Sequence, residues 1–312
     1  MNAGLVVTEV DGAIARVTLN DPPMNPISTR TLDALHGALD TLEQRRAVRC
    51  VILTGAGERA FCAGADLRAD ADRDAASGGA FRRYGRRTLQ RIETFPRPII
   101  AAIHGYCIGG GTAIAWSCDY RLAADNSVFR AGDAHLGLVP SWGMGLTRLP
   151  RFVGRNKALD ILLLGENFTA QEAHDIGLVS KVVPRAELQR HAQQAAERIA
   201  AASPHAIAAT RKAIAYNLRN SWDSMVAYEE ELCERVYAHA DAKEGVRPFA
   251  RSARHGLQTA DGACPHAVES AGARRASHGA VPARRRWRRA VTRAPAAAAV
   301  AHALILTRCV RR

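Results

Sequence analysis

Hydrophobic and polar residues alternate at the start of the chain, which predicts two neighbouring strands. The alternation covers residues 5–10 and 13–19, on either side of an Asp-Gly pair that favours a tight hairpin turn. Behind Ser28, a suitable helix N-cap, leucines recur at helical spacing up to about residue 43. The fully apolar run 50–54 is then typical of a strand buried in a parallel sheet. The chain therefore opens with the predicted order strand, strand, helix, strand.

A second unit of the same kind is predicted before residue 104. Residues 69–80 are small, charged and partly glycine, and they predict a mobile loop. The helical pattern of residues 81–95 is markedly basic and stops before two prolines. An apolar strand at 99–103 follows. Strand, helix and strand recurring at this interval predict an α/β fold of stacked right-handed units.

Beyond residue 143 the periodicity is mostly that of helices, and Ser203 is suited to cap a helix that begins at Pro204. The predicted helices are 144–152, 156–163, 170–176, 186–202, 204–218 and 222–238. The chain therefore changes from alternating strands and helices to a helical region.

Three consecutive glycines, Gly109 to Gly111, end an apolar run and open the small-residue segment 112–117. This pattern predicts a buried strand that turns sharply into a helix, with another short strand at 120–124. Because glycine has no Cβ and the first N–H groups of a helix lack intrahelical acceptors, such a turn can hold an anion or an oxyanion. The alternative is that the glycines only let two elements cross closely. The spacing is not that of a dinucleotide-binding fingerprint.

A second turn of the same kind is predicted at residues 58–68, ERAFCAGADLR, behind the strand at 50–54. Two turns lined by glycine and alanine, each following a strand, can direct one N–H apiece at the same oxygen. The pair of turns therefore favours a functional site over a simple crossing of elements.

With these two turns the chain resembles the crotonase superfamily, the enoyl-CoA hydratases and isomerases. The resemblance covers about residues 5–248. It rests on FCAGADL at 61–67, HGYCIGGG at 104–111, LGLVP at 136–140, RLPRFVG, and TAQEAHDIGLVSKVV from residue 169. It implies a crotonase-like (ClpP/crotonase) α/β spiral of repeated ββα units with a C-terminal helical region.

The resemblance also implies an organisation in three parts. Residues 1–195 are expected to form the spiral core, and residues 196–250 a C-terminal helical region that builds a homotrimer or homohexamer. Residues 251–312 are rich in Arg and Ala, and relatives have no such segment after their last helix.

In the family, two backbone N–H groups polarise the carbonyl of a CoA thioester, and the resemblance assigns these donors to Ala65 and Gly110. The positions that it assigns to acyl-CoA binding are Ala63, Asp66, Leu67, Arg68, Ile108, Gly109, Pro140, Ser141 and Trp142. Arg68 is expected to reach a phosphate, with an ordinary surface charge as the alternative. Coenzyme A is part of the substrate, and neither a separate cofactor nor a metal is expected.

The acid/base positions depart from the family pattern. Hydratases of the family carry one Glu three residues after the middle glycine and a second Glu about 20 residues later. Here the first position is Ala113, which has no proton to transfer, and the second is Asp133. Asp133 is the expected acid/base, with a cap or turn residue as the alternative. His135 is either a substitute acid/base or a partly buried structural histidine.

The resemblance therefore implies an enzyme that acts on acyl-CoA thioesters, with hydration of 2-enoyl-CoA as the expected reaction. A single acid can also shuttle a proton between two carbons, or protonate an enolate after carbon–carbon cleavage, so isomerase and lyase reactions stay open. A non-catalytic acyl-CoA binder is a further alternative, because Ala113 replaces an acid.

The net charge of +13 changes this picture little, because it is concentrated at one end. Residues 251–312 carry 13 Arg, no Lys and two acidic residues, which leaves residues 1–250 with a charge of +2. This segment and the basic helix are compatible with RNA binding. Charge alone does not predict it, so no nucleic-acid partner is expected.

Residues 251–312 lack hydrophobic periodicity and are predicted to be disordered, and our hypothesis is that they arise from a frame change in GC-rich coding sequence. The seven cysteines are widely spaced without a C-x-x-C pair, so neither disulfides nor zinc are predicted and a reducing cytoplasm is the expected compartment. No secretory signal and no run long enough to span a bilayer is recognised, so no membrane partner is expected.

Overall fold

A computed structural model of the chain describes residues 4–68, 73–142, 145–218 and 220–247. The contacts along the chain separate two units, Met1–Gln258 and Thr259–Arg312. The second unit and the whole predicted segment 251–312 lie outside the described residues, so the fold below is that of the first unit.

Six strands form the larger sheet in this part of the chain. They are β1 Val6–Asp11, β2 Ile14–Leu19, β3 Cys50–Gly55, β5 Ile99–Ile103, β7 Tyr120–Ala124 and β10 Lys181–Val183, in the order β1-β2-β3-β5-β7-β10. The hairpin of β1 and β2 is antiparallel, whereas the other neighbouring pairs are parallel. Parallel strands separated by helices confirm the predicted α/β class.

Four short strands form the smaller sheet: β4 Ala60–Cys62, β6 Tyr106–Ile108, β8 Val128–Arg130 and β9 Phe168–Thr169. Strand β6 pairs in parallel with both β4 and β8, and β8 pairs antiparallel with β9. Because β4 and β6 are parallel neighbours, the turns that leave their carboxyl ends start side by side. The smaller sheet therefore brings together the two turns that the sequence singled out.

The helices are α1 Thr29–Gln44, α2 Ala75–Glu93, α3 Gly110–Ser117, α4 Leu149–Leu164, α5 Ala170–Asp175, α6 Leu188–Ala200, α7 Pro204–Asn217 and α8 Trp222–Tyr237. Ser28 caps α1 as predicted, since its side-chain oxygen accepts the Thr31 N–H at 3.2 Å. Ser203 caps α7 through the Ala206 N–H at 3.4 Å. No helix among the described residues has the length and apolar character needed to cross a membrane.

Both faces of the central strands of the six-stranded sheet are buried, because alternate residues of these strands enter different clusters. Val51 and Leu53 of β3 pack with the leucines of α1, whereas Cys50 and Ile52 pack with the buried face of α6. A strand that is covered on both sides has no polar face. This is why residues 50–54 form a continuous apolar run in the sequence.

The predicted loop at residues 69–80 is wrong in its second half. Asp74 accepts the Ser77 N–H at 2.8 Å and caps α2, so that the helix begins at Ala75. The residues from 75 to 80 are small and include two glycines, so they show neither hydrophobic periodicity nor strong helix propensity. The helix starts there because of its cap.

The helix predicted at 144–152 is wrong at its start, since α4 begins at Leu149. It passes a kink at Gly154, where φ is 78°, and continues to Leu164, so it also takes in the helix predicted at 156–163. The predicted domain boundary at residue 195 falls inside α6, a helix that packs on the sheet.

Arg211 on α7 connects the C-terminal helices to the sheet through hydrogen bonds. Its guanidinium donates to the Asp119 carboxylate and to the Phe95 carbonyl, both at 2.7 Å. The same carboxylate accepts the Ile99 N–H at 2.8 Å, at the first residue of β5. The Arg211 side chain is only 16% exposed. One half-buried cation therefore holds α7 against the edge where β5 begins.

We expect Arg211→Met to lower the free energy of unfolding by about 2 to 3 kcal/mol, because Asp119 loses its cation while the apolar stem stays in place. Urea unfolding of the full chain measures the change. The control is Arg235→Met, whose side chain is 60% exposed and whose ion pair with Glu231 contributes less than about 1 kcal/mol. Equal losses in both variants would contradict the anchoring role.

Candidate functional site

The turns after β4 and β6 touch each other through their backbones. Gly64 has a φ of 89°, and a Cβ there would lie 2.6 Å from the Ile108 carbonyl oxygen and 3.1 Å from the Gly110 nitrogen. A Cβ on Gly111 would collide with the Cys62 carbonyl. Glycine permits this approach because it has no Cβ. The glycines therefore do let two elements cross closely, as one interpretation of the sequence proposed.

The same approach leaves two N–H groups, those of Ala65 and Gly110, directed away from the backbone ladder. Ile27 forms a parallel bridge with Ala65. Its N–H donates to the Gly64 carbonyl at 2.8 Å, and its carbonyl accepts the Asp66 N–H at 3.0 Å. Successive peptide groups of an extended segment alternate in direction, so the Ala65 N–H faces away from Ile27. Gly110 begins α3, where an N–H has no acceptor within the helix.

Ala65 and Gly110 both line a cavity of about 590 Å³. The predicted site residues in its wall are Ala63, Ala65, Leu67, Ile108, Gly109, Gly110, Asp133, Pro140, Ser141 and Trp142. The structure thus brings most of the predicted positions together. Asp66 and Arg68 are outside this wall, because the Asp66 carboxylate accepts the Arg68 N–H at 3.1 Å on the exposed side of the turn. Their binding role stays a prediction.

Trp142 is held in the cavity wall by α2. Its ring lies against Gly85, where a Cβ would collide with it, and it meets Phe81 edge to face with centroids 5.4 Å apart. Arg86 donates to the Ser141 carbonyl at 3.0 Å and holds the preceding residue. The ring also approaches Gly110, since a Cβ there would lie 3.2 Å from its Cζ3. Trp142 therefore borders the N–H pair.

In the described part of the chain, two carboxylates line this cavity, and Asp74 is occupied as the cap of α2, whereas Asp133 stands at the family's second acid position and Ala113 at the first. Asp133 begins a short 3₁₀ helix, Asp133–Leu136, and its side chain is half-buried. Burial raises the pKa of Asp133 above its ordinary value. Ala113 is 7% exposed and lines the same cavity from α3. One titratable carboxyl thus stands where hydratases of the family have two.

His135 also lines the cavity, and its side chain is held by α4. Its Nε2 hydrogen-bonds the Leu163 carbonyl at 3.1 Å, and its ring fills the space beside Gly165, where a Cβ would lie 2.6 Å from Cδ2. One ring nitrogen is occupied by the protein itself. These contacts favour a structural role over the substitute acid/base, but His135 is exposed, so the expected partial burial is wrong.

Sequence reasoning missed two contributors to the cavity. The first is α2, whose first turns are predicted as a loop. It lines the cavity with Gly78, Gly79, Phe81 and Arg82. The second is Trp116, which lies three residues after Ala113 on α3. The spacing of three residues on one helix is a signal that could have revealed Trp116.

One group of metal-ligand residue types occurs in the described part of the chain, outside the cavity: His205, His239 and Asp241. The Asp241 carboxylate accepts the Ser203 hydroxyl at 2.6 Å, and His239 Nδ1 accepts the Asp241 N–H at 3.3 Å. The two imidazole rings are stacked with centroids 3.5 Å apart, so their in-plane lone pairs do not converge. The group is a hydrogen-bonded connection between helices.

An α/β fold with two sheets, and a cavity over paired N–H groups at adjacent turns, define the class of protein as crotonase-like. The model of the enoyl-CoA hydratase/isomerase family matches residues 9–255, and the chain belongs to this family.

Named relatives and a solved structure agree with this assignment. The chain is 35% identical over 250 residues to a short-chain-enoyl-CoA hydratase of Clostridium acetobutylicum, which covers 80% of this chain and 95% of the relative. It is 32% identical over 245 residues to a crotonyl-CoA hydratase of Syntrophomonas wolfei, with coverage of 78% and 94%. The crystal structure of an enoyl-CoA hydratase from Bacillus anthracis superposes with a TM-score of 0.76 at 33% identity, and covers 80% of this chain and 96% of that one.

Asp133→Asn is expected to stabilise the folded chain at neutral pH, because the raised pKa makes the ionised carboxylate less favourable in the folded than in the unfolded chain. The contribution of the protonated carboxyl is fully present below the unfolded pKa of about 4 and is lost as the pH rises through the folded pKa. The advantage of the Asn variant is therefore largest at pH 7 and disappears towards pH 4.

Urea unfolding of both proteins across this pH range checks the effect, with the exposed Asp160→Asn as the control. An advantage that grows as the pH falls would show that burial does not disfavour the Asp133 carboxylate.

Gly64→Ala is expected to lower the free energy of unfolding by at least about 3 kcal/mol, because the new Cβ sits at positive φ and presses on the Ile108 carbonyl. Thermal unfolding measures the loss. The matched control is Gly37→Ala in α1, where a Cβ meets open space and the change stabilises by up to about 1 kcal/mol. Similar melting temperatures for the two variants would mean that the turns separate without cost.

Proposed function

We propose that this enzyme adds water to the double bond of 2-enoyl-CoA thioesters and uses a single carboxylate as its acid/base. The observation that carries the proposal is that Ala65 and Gly110, the positions of the N–H pair, and the half-buried carboxyl of Asp133 lie in the wall of a single cavity. The hydratases of Clostridium acetobutylicum and Syntrophomonas wolfei support the same reaction.

The N–H groups of Ala65 and Gly110 act on the carbonyl oxygen of the thioester as an oxyanion hole. When water adds at C3, the electron pair of the double bond moves towards this oxygen and an enolate forms. Donors that already point at the oxygen stabilise the enolate more than the substrate, and one such donor is typically worth about 3 to 4 kcal/mol. Because the two turns are packed against each other, these donors need not reorganise during the reaction.

Asp133 moves the proton. The ionised carboxylate takes a proton from the attacking water, and the resulting carboxylic acid delivers a proton to C2 of the enolate. Its raised pKa, which burial causes, makes the carboxylate a stronger base than an exposed Asp. The same buried environment of Asp133 therefore assists both the removal of the proton from water and its delivery to C2.

The part of coenzyme A outside the cavity follows the turn from Ala63 to Arg68 in this proposal. Ala63 and Leu67 line the cavity, while Arg68 lies on the exposed side of the same turn. An exposed guanidinium can meet a phosphate with charge-assisted hydrogen bonds. The acyl group then lies inside and the nucleotide outside.

The assembly in this proposal is a homotrimer or homohexamer. Large apolar side chains of the C-terminal helices remain exposed in the single chain, and a second copy can cover them. They are Ile214, Leu218, Trp222, Val226 and Tyr237.

The compartment in this proposal is the cytoplasm. Cys50, Cys62, Cys107 and Cys118 are buried free thiols, and burial raises the pKa of Cys62 to about 12. Unpaired thiols are typical of a reducing compartment.

A second candidate function is isomerisation, which Ala113 favours. A single carboxylate is enough to take a proton from C2 of a β,γ-enoyl-CoA and return it at C4. Carbon–carbon cleavage and acyl-CoA binding without turnover are further uses of the same N–H pair.

Turnover of crotonyl-CoA, followed by the loss of its enoyl absorbance, tests the proposal. We expect hydration by the wild type and a loss of at least about 100-fold in kcat for Asp133→Asn, because the general acid/base is removed. The control is Asp160→Asn, which changes an exposed carboxylate on α4 and keeps the rate.

Hydration that survives in the Asp133→Asn variant would remove Asp133 from the mechanism. A wild type that binds butyryl-CoA but does not hydrate crotonyl-CoA would overturn the proposed reaction, and a β,γ-enoyl-CoA is then the substrate to test for isomerisation.

A further inference from the structure

The segment that follows Asp133 lines the cavity with large aliphatic side chains that are open to solvent. Leu136, Leu138 and Val139 belong to the cavity wall, and they are 58%, 50% and 57% exposed. Exposed apolar surface that is continuous with a cavity is typical of a groove in which a ligand binds. The double bond, which the proposed function places at Asp133, does not account for this surface.

Leu136 lies on the same side of its helix as Asp133. The two residues are the last and the first of the 3₁₀ helix Asp133–Leu136. A 3₁₀ helix has about three residues per turn and rises about 2 Å per residue, so side chains three residues apart eclipse each other at a separation of about 6 Å along the axis. A wall that presents the Asp133 carboxyl to the cavity therefore presents a leucine one turn further on.

The polar groups of this wall are occupied within the protein. The polar side chain among residues 134–139 is His135, and its Nε2 hydrogen-bonds the Leu163 carbonyl on α4 at 3.1 Å. The Leu138 N–H donates to the Asp133 carbonyl at 3.0 Å, which folds the segment back on the 3₁₀ helix. The wall after Asp133 therefore offers a ligand mainly aliphatic surface.

The order of groups along the wall matches the order of carbons in an acyl chain. The Gly109 N–H donates to the Arg130 carbonyl at 2.8 Å, which joins the start of this segment to the turn that carries the N–H pair. Asp133 follows Arg130 after three residues, and Leu136 follows after six. Because the thioester carbonyl is placed at the N–H pair and C3 at Asp133, the carbons beyond C3 continue towards Leu136.

We infer that the enzyme prefers 2-enoyl-CoA thioesters whose acyl chain extends several carbons beyond C4, and that Leu136, Leu138 and Val139 bind this part of the chain. The inference rests on the proposed function, from which it takes the positions of the carbonyl and of C3. In crotonyl-CoA a single carbon follows C3, and it ends before the leucine one turn away. In a longer chain the further carbons leave water and cover the exposed side chains.

The test compares butyryl-CoA with octanoyl-CoA, two saturated ligands that are not hydrated and differ only in chain length. Titration calorimetry gives both dissociation constants for the full-length protein. Each methylene that leaves water can tighten binding about fourfold, and the groove is open on one side, so we expect octanoyl-CoA to bind at least about 10-fold more tightly. A smaller preference overturns the inference.

Leu136→Gln replaces the leucine by a polar side chain of similar length, at an exposed position where the fold tolerates the change. We expect the preference for octanoyl-CoA to fall at least about threefold, because the alkyl chain loses an apolar partner. The matched control is Leu163→Gln on α4, since this leucine is 61% exposed and lies outside the cavity wall. A preference that survives Leu136→Gln, or that falls equally in the control, overturns the inference.

Turnover separates binding of the alkyl chain from the reaction. We expect 2-octenoyl-CoA to have a lower KM than crotonyl-CoA and a kcat within about threefold of it, because carbons far from C3 bind equally in the ground state and the transition state. Equal KM values overturn the inference. A preference for octanoyl-CoA in a protein that hydrates neither substrate supports the binding surface and overturns only the proposed reaction.

A second copy of the chain is the competing occupant of this apolar surface. In that case Leu136→Gln and Leu163→Gln both weaken the contact between copies, and sedimentation velocity detects smaller species for both variants. Assembly through the exposed side chains of α7 and α8 predicts no change in either. Smaller species for both variants therefore overturn the inference, because they place the surface between copies.

Discussion

The contact between the turns after β4 and β6 is the constraint on which the site depends. Parallel pairing of the two strands starts the turns side by side, and Gly64 and Gly111 let their backbones approach where any Cβ would collide. The two N–H groups of the proposed oxyanion hole belong to the neighbours of these glycines, Ala65 and Gly110. The energy that fixes the donors is therefore part of the folding energy of the core, and substrate binding does not have to supply it.

Burial in the cavity beside these donors costs a charged group more free energy than a neutral polar group. Removing a carboxylate from water raises its pKa, and two carboxylates in one apolar cavity raise each other's further. With Ala113 in place of the first Glu, Asp133 bears only the cost of its own burial. The chain thus keeps a carboxylate at one of the two family positions and lowers the electrostatic cost of its site.

The sequence predicts those parts of the fold and site that local pattern controls. The strand 99–103 is an apolar run that follows a proline, the strand 120–124 comes directly after the small-residue helix, and the structure has both strands at the predicted residues. Ala65, Gly110 and Asp133 were placed in one cavity by resemblance, and the structure brings them together there. The start of α2 and the packing of Trp142 against Gly85 could not be predicted from the sequence. Each depends on contacts between residues that are far apart in the chain, or on a cap that overrides weak propensity.

The two N–H donors belong to the backbone, whereas the acid/base positions are side chains. This difference explains how the N–H pair can keep its geometry when Ala113 stands in place of the family's first Glu. A backbone N–H keeps its position when a neighbouring side chain is replaced, and alanine is the best helix former, so α3 still begins at Gly110 and still presents its free N–H. The family's two acid/base positions are side-chain positions on separate segments, Ala113 on α3 and Asp133 on the 3₁₀ helix. The wall made by Phe81 and Trp142 packs through ring contacts and not through the N–H pair. In the proposed mechanism, enolate stabilisation is thus fixed by the fold, while proton transfer and acyl selectivity depend on single side chains.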